Sequence, residues 1–178
     1  MSPGGLNPGG LSADGLSADG LSPGGLSTGG RVVPPEWIDY NGHMMDAYYF
    51  LAFTEATEAF LDYVGLGAAY QARTGGGIYT AESHLCFVSG VTEGAALRYE
   101  TQLLGHDDKR MHVFHQMTSA GNLSATCELM FLHVRDGRVG PMPPPAAAAV
   151  AALAARHAAL PHPDRASRHI AMPVRLAR

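Results

Sequence analysis

Four segments in the middle of the chain alternate apolar and polar side chains, as a half-buried β-strand does. They cover residues 78–88, 97–103, 111–117 and 123–131. The stretches that separate them are short and contain Gly, Asp, Asn or Thr, which is typical of hairpin turns. The pattern therefore predicts a four-stranded antiparallel meander.

A helical pattern precedes these strands. The large apolar residues that recur at a period of 3.6 are Phe50, Phe53, Phe60, Leu61 and Val64. Asp46 or a neighbour is predicted to begin the helix and Gly65 to end it, which gives about 18 residues. A short strand near Arg31 comes first. One strand, one long helix and an antiparallel sheet together predict an α+β domain.

The two ends of the chain differ from this middle part. Residues 1–30 repeat a unit of five residues, such as PGGLS or ADGLS, with leucine as the one strongly apolar residue. So little apolar surface cannot offset the entropy of ordering a backbone, so we predict that this segment is disordered and that the domain spans 31–141. Residues 142–178 are rich in Ala and Pro. We expect a helix over 146–160 and a tail after it, both as an appendage.

Composition narrows the setting of this domain. The 178 residues carry a net charge of −4 and are 46% hydrophobic, which suits one domain. The charge is −2 over residues 1–30, −6 over 31–141 and +4 over 142–178, so no basic surface suggests nucleic acid. Two cysteines are too few for a disulfide framework, and neither a membrane span nor a secretory signal is visible. We expect a cytoplasmic protein with no nucleic-acid or membrane partner.

A polar loop, W-I-D-Y-N-G-H-M, leads into the predicted helix. Asp39 lies just before the helix N-terminus, where unpaired N–H groups and the positive end of the helix dipole gather. Such N–H groups hold a carbonyl oxygen as negative charge develops on it, worth about 3 kcal/mol per donor. Asp39 would act as general base on water or attack directly, and Gly42 would let the backbone approach a substrate. An Asx turn or a helix cap is the alternative role of Asp39.

The loop resembles that of the hotdog-fold acyl-CoA thioesterases of the 4-hydroxybenzoyl-CoA thioesterase type. Those proteins carry D-x-x-G-H-[VM]-N-[ND] where this chain has Asp39-Tyr40-Asn41-Gly42-His43-Met44-Met45-Asp46. The likeness covers about residues 31–135 and is strongest to the branch linked with carnitine dehydrogenase, which is assigned to betainyl-CoA. It implies hydrolysis of a short-chain acyl-CoA without a metal or a cofactor. It also implies a sheet of about five strands wrapped around one helix, in a homodimer or a dimer of dimers with the active site between protomers.

The resemblance assigns roles within the loop. Asp39 stands at the family's catalytic carboxylate, and the backbone near Asp46 stands where the family binds the carbonyl. His43 either orients the loop or binds a carbonyl. Met45 departs from the pattern, because the family has its first asparagine there, and any hydrogen bond of that amide is lost.

Further residues suit the two ends of an acyl-CoA. Lys109 and Arg110 are adjacent in a predicted hairpin turn and are candidates to bind the CoA phosphates, with Arg73 a weaker one. Four aromatic side chains near the loop would attract a quaternary ammonium group: Trp37, Tyr40, Tyr48 and Tyr49. Asp46 adds an acidic group to that set. The same aromatic cluster could instead be core or dimer interface.

Other interpretations stay open at this point. A related thioesterase branch uses a glutamate of the long helix, for which Glu55 and Glu58 are secondary candidates. A hotdog enoyl-CoA hydratase or dehydratase would use an Asp/His pair, and a non-catalytic protein would bind acyl-CoA without turnover. A structural or interaction domain would do neither. No metal site is expected, since His112 and His115 differ in strand parity and point to opposite faces.

Overall fold

The computed structural model of the protein describes residues 21–22 and 25–170, and in that part seven strands form one antiparallel sheet. The elements in chain order are β1 Leu21–Ser22, β2 Gly25–Val32, a 3₁₀ turn Pro35–Trp37, α1 Asp46–Tyr63, α2 Ala68–Thr74, β3 Gly77–Phe87, β4 Ala96–His106, β5 Arg110–Ser119, β6 Asn122–Arg135, β7 Arg138–Val139 and α3 Pro144–His157. Helix α1 packs on one face of the sheet and shares a core with the strands. The predicted α+β hotdog architecture is confirmed. No helix within the described ranges has the length and apolar character to cross a bilayer.

Helix α1 begins at Asp46 and ends at Tyr63, as predicted. Its buried face is rotated from the predicted one, because Phe50 is 41% exposed. The residues that the helix buries are Tyr49, Ala52, Phe53, Ala56 and Phe60. Ala52 and Ala56 let the helix backbone lie close to the sheet. A stripe drawn from large side chains alone misses such small buried positions.

The strands do not form the predicted four-stranded meander. Strands β4, β5 and β6 pair in sequence, but β3 pairs with β6, so the order is β1-β2-β4-β5-β6-β3. Residues 88–95, which we call the crossing segment, therefore run across the end of the sheet from β3 to β4. The amides of Val88 and Ser89 donate to the Ser124 carbonyl on β6, which holds this path. A short separator allows a hairpin but does not decide which strand is the partner.

Strand β2 begins at Gly25, inside the segment predicted to be disordered. For residues 25–30 the structure corrects that prediction; residues 1–20 and 23–24 lie outside the described part. The glycines of β2 allow an unusually close approach to β4. A Cβ added at Gly30 would lie 2.1 Å from the Leu97 carbonyl oxygen. The composition of residues 25–30 does not reveal their partner strand, because β4, which these glycines approach closely, lies far along the chain.

The core continues past residue 141, where the sequence predicts an appendage. Helix α3 forms close to the predicted position and packs against β4, with Val150 and Leu153 buried in the common core. The chain after it returns over the sheet face opposite α1. There the Ser167 amide donates to the Glu128 carboxylate at 2.8 Å. The C-terminal part is therefore a component of the domain up to this point, and residues 171–178 lie outside the described part.

A chain of side-chain hydrogen bonds crosses the core between α1 and the sheet. The His115 ring on β5 bonds to Thr57 of α1 at 3.0 Å and to Thr101 of β4 at 2.7 Å. Thr101 in turn bonds to Thr28 of β2 at 2.9 Å. Complete burial lowers the pKa of His115 to about 3, so the ring is neutral near pH 7. These four residues join four elements of the fold.

Candidate active site

Residues 38–44 form a tight hairpin that leads into α1. A bridge between Ile38 and Met44 closes it, and the Asp39 amide donates to the His43 carbonyl at 2.9 Å. At the turn Gly42 has a φ of +75°, a left-handed conformation that favours glycine. A Cβ added there would meet no atom within 4 Å. Gly42 is thus explained by the shape of the turn, and its predicted closeness to substrate stays a prediction.

The Asp39 carboxylate folds back into this hairpin. It accepts hydrogen bonds from the Asn41 backbone amide at 2.8 Å, from the Asn41 side-chain amide at 3.0 Å and from the His43 amide at 3.4 Å. These bonds, chiefly that from the Asn41 side chain, hold the pKa of Asp39 below its ordinary value. Asp39 therefore forms the Asx turn, and it does so as a charged, partly exposed carboxylate.

A cavity of about 310 Å³ opens where the hairpin meets the start of α1. It lies between the hairpin, the helix, the end of β3 and the crossing segment, and its lining includes His43, Asp46, Tyr49, Phe87, Ser89 and Gly90. The Met44 amide donates to the Val91 carbonyl at 2.7 Å and ties the hairpin to the crossing segment. The structure thus brings together the predicted residues His43, Asp46 and Tyr49. Asp39 lies on the same hairpin but outside this lining.

The ring of His43 packs directly over Gly90. A Cβ added at Gly90 would lie 2.5 Å from the His43 Cδ2 atom and 3.1 Å from its Nε2 atom. On the other side of the ring, Nδ1 lies 3.1 Å from the Asn41 carbonyl oxygen and donates to it. Because a carbonyl oxygen can only accept, Nδ1 of the ring carries a proton. This favours the orienting role of His43, because both contacts fix the ring against its surroundings.

The first amide of α1 differs from the second in its hydrogen bonding. The Asp46 backbone N–H has no partner within residues 25–170, whereas the Ala47 amide donates to the Asp46 side chain at 2.8 Å. Met45 occupies the N-cap position and provides no side-chain hydrogen bond. Residue 45, where this chain departs from the family pattern, therefore provides no side-chain cap to the helix. It leaves a free N–H and the positive end of the helix dipole at the cavity.

The four predicted aromatic residues do not form one cage in the chain. Trp37 stacks on Tyr48 with centroids 4.9 Å apart and planes 9° apart. Tyr49 instead contacts Phe87 edge to face, with centroids 5.1 Å apart. Tyr40 is 98% exposed. Within the described residues, only Tyr49 of the predicted set lines the cavity at the start of α1.

The two glutamates of α1 lie elsewhere. Glu55 is paired with Arg31, and its partial burial raises its pKa while Arg31 opposes the rise. Glu58 lines a separate cavity of about 400 Å³ near the C-terminal end of α1, together with Asp62 and Gln71. Neither glutamate lines the cavity at the helix start.

Lys109 and Arg110 lie in the β4–β5 turn, at the opposite end of β5 from the residues nearest the cavity. The Arg110 guanidinium donates to Asp107 at 2.7 Å, and both turn amides donate to the same carboxylate. These bonds, led by that from the Arg110 side chain, lower the pKa of Asp107 to about 2. Within one chain this turn and the cavity are therefore not brought together.

Two residues that line the cavity, Phe87 and Gly90, were not identified as site residues from the sequence. Phe87 has the appearance of the last apolar residue of an alternating strand, and Gly90 that of an ordinary turn glycine. Their importance depends on where the crossing segment runs, which in turn depends on the pairing of β3 with β6. The one available signal was a glycine shortly after a predicted strand, next to Ser89.

Residues 33–151 match the model of the thioesterase-like superfamily. The chain is 44% identical over 145 residues to a betainyl-CoA thioesterase of Pseudomonas aeruginosa, an alignment that covers 79% of this chain and 91% of that protein. It is 39% identical over 145 residues to an L-carnitine dehydrogenase/betainyl-CoA thioesterase of Ruegeria pomeroyi. That alignment covers 80% of this chain but 30% of the longer protein.

Among solved structures, the fold matches a crystal structure from Pseudomonas putida KT2440 whose protein is described as a candidate thioesterase. The TM-score is 0.74 and the sequence identity is 33%, with 84% of this chain and 98% of that chain covered. The aligned part thus spans almost the whole of the solved chain.

Proposed function

The chain belongs to the thioesterase-like superfamily, and we propose that the acyl-CoA ester it hydrolyses is betainyl-CoA, with betaine and free CoA as products. As an acyl-CoA thioesterase, it adds water to the thioester carbonyl and releases the CoA thiol. The observation that carries the proposal is the cavity at the start of α1, where a free helix amide and an acidic side chain come from the same residue, Asp46. The 44% identity to the betainyl-CoA thioesterase of P. aeruginosa supports the choice of acyl group.

Asp39 is the proposed base or nucleophile. Its lowered pKa keeps the carboxylate ionised at neutral pH, as both roles require. As a base it takes a proton from the water that attacks the carbonyl carbon; as a nucleophile it forms an anhydride that water then cleaves. In either case the carbonyl oxygen becomes an oxyanion that accepts from the Asp46 N–H, before the C–S bond breaks. His43 and Gly42 are proposed to position the hairpin that carries Asp39.

A homodimer, or a dimer of such dimers, is the proposed assembly. Among the residues that the structure describes, strand β3 is an edge of the sheet and pairs on one side only, with β6. It is 11 residues long, and its Tyr79 is 62% exposed. An edge of this length invites pairing with a second copy. Lys109 and Arg110, remote from the cavity of their own chain, would then bind CoA phosphates at the cavity of the other copy. The cytoplasm is the expected compartment.

Release of free thiol tests this function. Wild type and Asp39→Asn are assayed on betainyl-CoA, acetyl-CoA and butyryl-CoA, with circular dichroism as the control for folding. We expect wild type to prefer betainyl-CoA and Asp39→Asn to lose activity on every ester. Binding of the esters without thiol release would reject hydrolysis, and a hydratase would release no thiol either. Full activity of Asp39→Asn would move the proposed base to Glu55 or Glu58.

A further inference from the structure

We infer that Phe87 and the Asp46 carboxylate select the cationic acyl group, and that the Trp37–Tyr48 pair does not. The inference rests on the proposed function, since it concerns the acyl end of the ester hydrolysed at this cavity. The ligand class is a short acyl group with a permanent positive charge close to its carbonyl carbon. It places cation recognition on a ring that the sequence patterns did not single out.

The Trp37 ring already has a cation of the protein's own. The Arg31 guanidinium carbon lies 4.1 Å from the ring centroid, and the same guanidinium is paired with Glu55. Both charged side chains are partly buried, so the solvent screens them less than it screens a surface pair. A substrate ammonium at this ring would have to displace Arg31 and leave Glu55 without its partner. Trp37 is therefore satisfied without a ligand.

Phe87, by contrast, has an aromatic ring that reaches solvent at the cavity. Its side chain is 54% exposed, while the Tyr49 ring beside it is 4% exposed. The two rings meet at 82°, so they form a corner with Phe87 as its accessible wall. Aromatic faces attract a quaternary ammonium within about 6 Å of the ring centroid. The wall and the cavity thus match an alkylated cation, which cannot donate hydrogen bonds and needs none here.

The position of Asp46 follows from the chemistry of the ester. In betainyl-CoA a single methylene separates the carbonyl carbon from the quaternary nitrogen. A carbonyl oxygen held by the Asp46 N–H therefore places the ammonium next to residue 46, which lines the same cavity and whose carboxylate accepts from the Ala47 amide at 2.8 Å. One residue would then bind the oxyanion through its backbone and attract the cation through its side chain.

The other lining residues do not oppose a cation. Among the residues that line this cavity, Asp46 has the one carboxylate, and apart from the His43 imidazole the rest are apolar, aromatic or uncharged polar side chains. Lys109 and Arg110 lie at the far end of β5. The Asp46 carboxylate thus favours an ammonium over an uncharged group of the same shape.

A matched pair of substrates tests this inference. Betainyl-CoA and 3,3-dimethylbutanoyl-CoA have the same shape and differ in one charge, so the ratio of their kcat/KM values reports cation recognition alone. We expect a ratio above one for wild type. Phe87→Leu lowers the ratio roughly three- to thirtyfold, the range of a cation–π contact. Phe87→Tyr keeps the ring and the ratio, and Asp46→Asn lowers the ratio.

Two variants serve as controls for these effects. Tyr79→Leu removes an exposed aromatic ring from the same edge strand and should leave the ratio at the wild-type value, as should Trp37→Phe. A wild-type ratio in Phe87→Leu, or a fall in Trp37→Phe in its place, overturns the inference. Equal hydrolysis of both esters by wild type overturns it too, while hydrolase activity stands. Failure to hydrolyse either ester rejects the proposed function as well. Thermal melts and gel filtration confirm that each variant folds and assembles as wild type does.

Discussion

Two turns of this protein use an aspartate in almost the same way. Asp39 and Asp107 each gather two backbone amides from the residues that follow, and each accepts one further bond from a nearby side chain. The difference lies in that last donor. For Asp39 it is the neutral amide of Asn41, and for Asp107 it is the guanidinium of Arg110.

The comparison shows that turn geometry alone does not make a carboxylate available for chemistry. Both carboxylates have a lowered pKa, that of Asp107 falling to about 2. Asp107 is neutralised by its partner, whereas Asp39 keeps a net negative charge beside the start of α1. The Asp39 turn also leads to a cavity, while the Asp107 turn joins two strands. The two carboxylates therefore differ in the charge of their side-chain partner and in the elements around them, more than in the number of hydrogen bonds that they accept.

The sharpest test of this contrast replaces each carboxylate by its amide. Asp39→Asn should lower kcat/KM about 10²- to 10⁴-fold, the usual range for loss of a general base. Asp107→Asn should change kcat little, because it frees Arg110 without touching the hairpin at the cavity. Thiol release measures both, and circular dichroism shows whether both fold. Equal losses in the two variants would mean that Asp39 acts only through the fold of its turn.

A smaller effect is expected from moving His43. In Gly90→Ala the new methyl group would come within 2.5 Å of the ring, so the ring and the hairpin must shift. We expect kcat to fall about ten- to a hundredfold, as for other misplaced catalytic groups. Gly140→Ala is the matched control at the other end of the sheet, since no atom lies within 4 Å of its added Cβ. Wild-type kcat in Gly90→Ala would show that the position of His43 does not matter for turnover.

The two turns are also expected to differ in the property that depends on pH, which is activity for Asp39 and stability for Asp107. Activity requires ionised Asp39, so kcat/KM falls as the pH falls through its pKa. Asn41→Ala removes the main cause of the lowered pKa, so the acid limb of the pH–rate profile should move to higher pH. An acid limb that does not move would mean that Asp39 does not govern it.

For Asp107 the corresponding readout is stability. Its folded-state pKa of about 2 lies below the ordinary 3.8, so its contribution to stability is present above 3.8 and is lost as the pH falls through about 2. Arg110→Gln removes that contribution, and acid unfolding should begin at a higher pH. Acid titrations followed by circular dichroism check this, with Arg138→Gln as a control on an exposed arginine.

The smallest predicted effect concerns the helix that follows the Asp39 turn. Met45→Asn supplies the missing N-cap side chain and should stabilise the protein by about 1 kcal/mol. An N-cap side chain bonds the second or third amide of the helix, so the Asp46 N–H stays free and kcat should change little. A melting temperature at or below that of wild type would show that the extended backbone of residue 45 does not admit the cap.

Much of this fold could be predicted from local sequence patterns, and the predictions that were wrong share one cause. The strands and α1 were predictable because alternation and the 3.6 period are properties of a segment itself. The pairing of β3 with β6, the use of glycines in β2 and the burial of α3 depend on partners far along the chain. A sequence pattern does not specify those partners.

The site divides in the same way. The hairpin from Asp39 to Asp46 could be predicted because its motif is contiguous. The aromatic cage could not, because Arg31 reaches Trp37 from β2 and Phe87 reaches Tyr49 from β3. The roles of Lys109 and Arg110 stay a prediction for the same reason. Within one chain their turn lies at the opposite end of β5 from the cavity at the start of α1.

The pentad repeat allows more than one register between β2 and β4, and the hydrogen bond of Thr28 selects one of them. Leu21 pairs with Leu26, so β1 and β2 come from successive units of one repeat. If the repeat slipped by one unit against β4, a leucine would take the place of a leucine and a serine that of a serine. The first position of the unit breaks this degeneracy. It is threonine at residue 28 but proline or alanine in the units before it.

Only the unit with Thr28 can complete the chain to Thr101 and His115. A slipped strand would leave the Thr101 hydroxyl without that partner in the core, which costs about 1–3 kcal/mol. One hydroxyl group thus gives an otherwise ambiguous repeat a single alignment.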